Sequence, residues 1–222
     1  MTSSRWHAHG NLYLVAEGDY EMDPASDGAL EVQGVDGDDL TILIRNTDGS
    51  LAEMSGNGTR IAAAWLMERS GSRLVRVHVG PRTVEVRRTD DGLYESDMGD
   101  VDVGPRETVD GIELTTVSVG NPHAVVEGDP DDLPRVGPLL ETHARFPNRT
   151  NVQVVRVDGP GEVTARVWER GVGETSASGS SAVAVAAATH ADGEVLVHFP
   201  GGDLRVVLRD GRATLVGPAE RA

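Results

Sequence analysis

The sequence predicts an α+β fold of two similar halves, each a mainly antiparallel sheet around one helix. A pseudo-two-fold axis would relate the halves, with a functional cleft between them. Three observations carry the prediction. Strand-length runs that alternate apolar and polar residues dominate the chain, only two long Ala-rich stretches read as helices, and a set of landmarks occurs twice in one order. Gly10-Asn11 with Val15-Ala16-Glu17 returns as Gly120-Asn121 with Val125-Val126-Glu127, an offset of 110 residues. Asn46 precedes Ser55 by nine residues, as Glu169 precedes Ser178 by nine. Val77-His78-Val79-Gly80-Pro81 resembles Val197-His198-Phe199-Pro200-Gly201. Such ordered self-similarity reads as an internal duplication.

Taken in order, residues 6–17 read as a strand entered through the Gly10-Asn11 turn, and 18–28, rich in Gly, Asp and Pro, as a loop. Residues 29–35 and 40–46 alternate as paired strands, and Asn46 to Ser50 is a turn. A helix is expected over 58–69, stopping at Ser70-Gly71, then strands at 74–79, 83–88 and 93–98. The acidic stretch 99–110, with Gly104-Pro105, reads as the boundary, giving halves 1–108 and 109–222. In the second half, strands are expected at 112–119, 151–157 and 162–169, with a loop or short helix over 130–148. A second helix follows Ser178 to about residue 190, and three strands, 194–199, 204–209 and 213–216, complete the chain.

Composition narrows the function. The chain has 222 residues and a formal net charge of −16, and all its basic residues are arginine. So acidic a surface repels phosphate backbones, which argues against nucleic-acid binding. No apolar run approaches the roughly 18 residues a membrane span needs, so a cytoplasmic location without membrane contact is expected. The absence of cysteine excludes disulfides, thiolate metal sites and cysteine nucleophiles together. No His/Asp/Glu spacing suggests a metal, and no cofactor motif is present.

The two helix starts carry the chemistry. Ser55-Gly56-Asn57-Gly58 and Ser178-Gly179-Ser180-Ser181 each place a hydroxyl and several unpaired backbone N–H groups at a helix N-terminus. Such a place stabilises a carboxylate or a developing negative charge. Two of them on opposite walls of a cleft meet the needs of α-carbon inversion: a base on one face, an acid on the other, and N–H groups for the carboxylate. The bland readings are that both serines are only N-caps, that Asn46 and Asp48-Gly49 are ordinary turn residues, and that His78 and His198 are structural. A serine hydrolase would need a Gly-x-Ser-x-Gly elbow, and a phosphate loop a Lys-Ser/Thr ending. Neither occurs.

The strings Gly10-Asn11, Asn46-x-Asp48-Gly49-Ser50, Met54-Ser55-Gly56-Asn57-Gly58-Thr59-Arg60, Gly120-Asn121-Pro122-His123, Asn151-Val152 and Glu169-Arg170-Gly171-x-Gly173-Glu174-Thr175 resemble diaminopimelate epimerase over nearly the whole chain. The resemblance implies a two-domain isomerase without cofactor or metal, acting on LL-/meso-diaminopimelate in lysine and cell-wall precursor synthesis. Its partner would be a small amino-acid substrate, with a homodimer left open. Ser55 and Ser178 take the positions of the family's two catalytic cysteines. Asn11, Asn46, Asn121 and Asn151 take those of its substrate-binding asparagines, and His123 and Glu169 those of the polar residues assisting the acid–base pair. Arg170 would help hold a substrate carboxylate, and Gly56-Asn57 and Gly179-Ser180 would grip the α-carboxylate through the backbone.

Two departures stand out. A thiol ionises near about 8.5 and lower at a helix start, whereas a serine hydroxyl has no comparable anion. The serines would therefore need His123 or Glu169 as the real base, or those residues would act directly. Ile61 and Ala124 also stand where family members often carry cysteine, which fits a natural cysteine-free lineage. The loop over 18–28 is short where the family usually has a helix. Two other readings remain: a related isomerase or lyase using a single base, and an amino-acid binder that lost its bases.

Overall fold

The structure, a computed structural model, describes residues 2–9, 11–52 and 54–222. Gly10 of the first Gly-Asn turn lies outside the described residues. Two compact units divide the chain: residues 1–97 with 216–222, and residues 98–215. The architecture is α+β, as the sequence predicts.

The first unit holds β1 (Thr2–Ala8), β2 (Asn11–Glu17), β3 (Gly28–Asp36), β4 (Asp39–Asn46), β5 (Leu51–Ala52), α1 (Gly56–Ser70), β6 (Leu74–Val79), β7 (Arg82–Arg88) and the start of β8 (Tyr94–Asp100). The single strand expected over 6–17 is instead a hairpin: β1 and β2 pair from Thr2 opposite Glu17 to Ala8 opposite Asn11, and His9 takes a left-handed φ of 47° at the turn. The second unit holds β9 (Asp102–Val109), β10 (Ile112–Ser118), β11 (Pro122–Glu127), α2 (Leu133–Glu141), β12 (Asn151–Gly159), β13 (Glu162–Glu169), β14 (Gly173–Thr175), α3 (Gly179–Thr189), β15 (Gly193–Phe199), β16 (Gly202–Arg209) and β17 (Arg212–Gly217). The last strand, β18 (Glu220–Arg221), returns to the first unit and pairs with β1, Arg221 opposite Trp6.

The duplication appears as repeated strand pairing. In the first unit β1–β2 is antiparallel, β2–β3 parallel, β3–β4 and β4–β5 antiparallel, β4–β6 parallel and β6–β7 antiparallel. In the second, β10–β11, β11–β12, β12–β13, β13–β14, β13–β15 and β15–β16 run in the same six senses. Within each unit the parallel partners flank a helix that enters through the serine turn.

The stretch 99–110 is largely strand. Residues 102–109 form β9 and pair with β10 through a turn at Asp110-Gly111, both at positive φ. Asp-Gly between two strands is a strong hairpin signal, which the acidic composition obscured. Gly104 and Pro105 lie where the β9–β10 register shifts, between Thr115 and Val117. A bulge of this kind is where a strand can carry a proline without losing a ladder hydrogen bond.

Both central helices are buried on nearly all sides. Ile61 to Met67 in α1 and Ala182 to Ala186 in α3 are each at most 6% exposed, and small side chains let the surrounding strands approach closely. Helix α1 begins two residues before the sequence boundary, with Ser55 as its cap, and ends at Gly71 in the left-handed region, whose N–H bonds Met67 O at 2.9 Å. The second unit adds a smaller core around α2, where Leu133, Val136 and Leu140 meet Val152 and Val154. None of the described helices is long and apolar enough to cross a membrane.

Candidate active site

In the first unit the helix start is built as follows. Ser55 sits in extended backbone, its Oγ accepts the Gly58 N–H at 2.9 Å and its carbonyl accepts the Thr59 N–H at 2.8 Å. Asn57, buried just inside the helix, donates from Nδ2 to Asn11 Oδ1 at 2.6 Å, and its Oδ1 accepts from Arg60 Nη2. Its side chain is thereby committed to the protein, leaving the Gly56-Asn57 backbone as the part a ligand could meet. Asn11 is fixed in turn by Asp27, whose Oδ2 accepts the Leu12 N–H at 2.7 Å and an Asn11 Nδ2 hydrogen at 3.4 Å.

Arg60 is fully buried, and its guanidinium reaches Gly56 O, Asn57 Oδ1 and Pro218 O. Desolvation lowers its pKa to about 10, so it remains a cation at neutral pH beneath the first turn of α1. Asn46 closes its own turn: Nδ2 donates to Ser50 Oγ at 3.0 Å and its backbone bonds Ser50 and Gly49.

The second unit repeats the frame with different polar groups. Ser178, again extended but here buried, accepts the Ala182 N–H on its carbonyl at 2.9 Å, and its hydroxyl makes no capping bond. That hydroxyl is turned instead to Glu169. Burial raises the Glu169 carboxyl above its usual range, and the Thr175 and Ser178 hydroxyls, which favour the anion, oppose the rise. Thr175 Oγ1 donates to Glu169 Oε1 at 2.6 Å.

His123 is 1% exposed and both its ring nitrogens are engaged. Asn121 Oδ1 can only accept, so Nε2 carries the hydrogen across 3.0 Å, while Gln153 Nε2 donates to Nδ1 at 3.0 Å. Burial lowers its pKa to about 3, and the ring is neutral. The chain of bonds continues to α3, from Asn121 Nδ2 to Ser180 Oγ at 3.4 Å and from Gln153 Nε2 to Ser181 Oγ at 2.9 Å. Asn151 donates to Pro122 O at 2.9 Å and accepts the Arg170 N–H at 3.0 Å, fixing the turn that follows Glu169. The Arg170 side chain is exposed, with Nη1 3.5 Å from Asn148 O. Gly179 is the first residue of α3.

Of the sequence-predicted residues, the structure thus groups Asn11, Ser55, Gly56 and Asn57 in the first unit, while Asn46 keeps to its turn. In the second it links Asn121, His123 and Ser180, joins Asn151 to Arg170, and sets Glu169 against Ser178. Three residues escaped the sequence reading. Tyr13, whose hydroxyl lies 3.3 Å from Ser55 Oγ, stands at the repeat position of His123, and the 110-residue offset already aligned them. Asp27 and Gln153 had no such signal, since each acts on a partner set by strand pairing. Among the described residues no group of three His, Cys, Asp or Glu side chains could hold a metal ion.

Comparison with known proteins bears on this arrangement. A family model described as diaminopimelate epimerase matches residues 16–103 and 115–221. A diaminopimelate epimerase of Methanothermobacter thermautotrophicus is 38% identical over 218 residues, covering 84% of this chain and 76% of that protein. One from Desulforudis audaxviator is 36% identical over 272 aligned positions, covering 99% of this chain and 96% of its own. Among solved structures, a predicted epimerase from Pseudomonas aeruginosa shares the fold with a TM-score of 0.75 at 19% identity, over 99% of this chain and 96% of that one.

Proposed function

The chain belongs to the diaminopimelate epimerase family, and on that premise we propose that it inverts an amino-acid α-carbon, with LL-/meso-diaminopimelate as substrate. The observation that carries the mechanism is the Glu169–Ser178 pair at the start of α3. A partly buried carboxylate with a raised pKa is a stronger base than a solvated one, and Ser178 connects it to the helix N-terminus. Backbone N–H groups at a serine turn, Gly179-Ser180 or Gly56-Asn57, suit an α-carboxylate, and a helix dipole stabilises the charge that spreads onto it as the α-proton leaves. Ser55 returns a proton to the opposite face.

The sequence placed His123 in the acid–base set. Its neutral, doubly engaged ring supports a positioning role instead: it holds Asn121 against Ser180, as Asp27 holds Asn11 against Asn57. Arg170 and Asn46 are the groups left to meet the distal end of the substrate. The reaction, as proposed, needs no cofactor or metal and takes place in the cytoplasm.

One observation favours a second reading. Asn46 stands in the first unit where Glu169 stands in the second, so the repeat position that holds a carboxylate in the second unit holds an amide in the first. A single-base isomerase would need no more.

The test is incubation of each diaminopimelate stereoisomer in D2O, followed by NMR and chiral chromatography. Inversion with one solvent deuteron at the α-carbon is expected. No exchange with diaminopimelate or any other amino acid would overturn the proposal, and a product with a shifted double bond would select the single-base reading.

A further inference from the structure

The two serine turns have different chemistry behind them. Glu169, beside Ser178, takes a proton readily once ionised, whereas Asn46 at the equivalent place spends its amide hydrogen on Ser50 Oγ and offers no base. Ser55 has Tyr13 instead, phenol oxygen to hydroxyl oxygen at 3.3 Å. Tyr13 is 9% exposed and lies on β2 at the first pair of the parallel β2–β3 ladder, opposite Gly28. His123 opens the β11–β12 ladder in the same way, opposite Asn151. The bare Cα of Gly28 leaves space for the ring: a Cβ there would come within 3.2 Å of Tyr13 Cε1. Because the Gly58 N–H already occupies one lone pair of Ser55 Oγ, the hydroxyl lies on a short path from the phenol to the helix start.

We propose that Tyr13 is the proton source behind Ser55, the hydroxyl that acts as acid in the proposed inversion. This rests on reading the chain as an epimerase. As the Cα–H bond breaks, its proton passes to Ser178 and Glu169, and the electron pair stays on the α-carbon and its carboxylate. The Ser55 O–H bond breaks as the new Cα–H bond forms with that pair, and the Tyr13 hydrogen moves to Ser55 Oγ, leaving a phenolate near the N-terminus of α1. Water then takes the proton from Glu169 and returns one to Tyr13, which restores the starting state. A phenol, with a free pKa of about 10, gives up its proton far more easily than an aliphatic hydroxyl. Tyr13 acts through Ser55 as a positioning residue.

The cysteine-free chain allows a direct test, because Ser55→Cys introduces the only thiol. Iodoacetamide alkylation of that thiol across pH reports its ionisation with and without Tyr13→Phe. A phenol donor stabilises the thiolate, so Tyr13→Phe is expected to slow alkylation near neutral pH by about threefold or more. Superimposable titrations would overturn the proposal. In D2O exchange, Tyr13→Phe is expected to lower kcat at least about tenfold at unchanged KM when residue 55 is serine. In the Ser55→Cys background the same change should cost less than about twofold, because the thiol needs no phenol behind it. Equal losses in both backgrounds would reduce Tyr13 to a packing residue. Absence of exchange in all four proteins would overturn the epimerase reading, while the thiol titration would still decide whether residue 13 donates to residue 55.

Discussion

His78 and His198 are one clasp built twice. In the first unit His78 reaches Thr83 Oγ1 at 2.9 Å on its hairpin partner and Asp39 at 2.7 Å on its parallel neighbour. In the second, His198 reaches Asp203 at 2.8 Å and Glu162 at 2.9 Å from the same register positions. The repeated ring ties three neighbouring strands together in each unit, β4, β6 and β7 in the first and β13, β15 and β16 in the second, a structural role the sequence had assigned to both.

The clasp makes stability depend on pH. Asp203 first, then Glu162, raises the His198 pKa above its ordinary value. The group therefore stabilises the fold fully below the unfolded value of about 6.5, and the contribution is lost as pH rises through the raised folded value. The parent's advantage over His198→Asn in urea unfolding should shrink by up to about 1 kcal/mol between about pH 6 and about pH 9, the scale of a partly exposed ion pair. An advantage that grew with pH would contradict the assignment.

Glu169→Gln should separate activity from stability. Its α-proton exchange should fall about 10²–10⁴-fold, the usual contribution of a general base. In the parent the exchange rate should also fall as pH drops through the raised Glu169 pKa. The linkage sign for stability is opposite. A carboxyl whose folded pKa is raised weakens the fold above that pKa, so the neutral amide should raise the thermal midpoint at neutral pH. Calorimetry beside the exchange assay checks both halves.

Gly28→Ala probes the close approach of strands that seats Tyr13. The added Cβ would lie 2.5 Å from Arg45 O, a backbone atom that cannot swing aside. Destabilisation of about 1–3 kcal/mol is expected in denaturant unfolding, as for other overpacked sites. A variant as stable as the parent would mean that β3 and β4 can separate there.

Arg60→Leu removes the buried cation and leaves Gly56 O, Asn57 Oδ1 and Pro218 O short of a donor. A loss of about 1–3 kcal/mol follows from those unsatisfied groups. Faster hydrogen exchange should appear first in residues 216–222, which Arg60 anchors through Pro218.

The parts of the site that were legible in the sequence are those fixed by neighbours within a few residues. Ser55 and Ser178 are readable because a serine before a Gly-containing turn and an Ala-rich run is a helix start, an extended residue whose carbonyl accepts the N–H four residues ahead in both units. The duplication was readable because it preserved spacing. The strand at 99–110 was not legible, because acidity and Gly104-Pro105 hid a bulged strand that pairs with β10.

The sequence by itself determined the two helix starts, their repetition, the α+β class and the family. Only the tertiary structure decided which group stands behind each serine: Tyr13 behind Ser55, across 42 residues of chain, and Glu169 behind Ser178. It alone also neutralised His123 between Asn121 and Gln153 and sealed Arg60 beneath α1. The physical reason is range. Caps and turns are set by local backbone geometry, whereas the partner of a buried polar side chain is set by strand register and by which groups burial deprives of water.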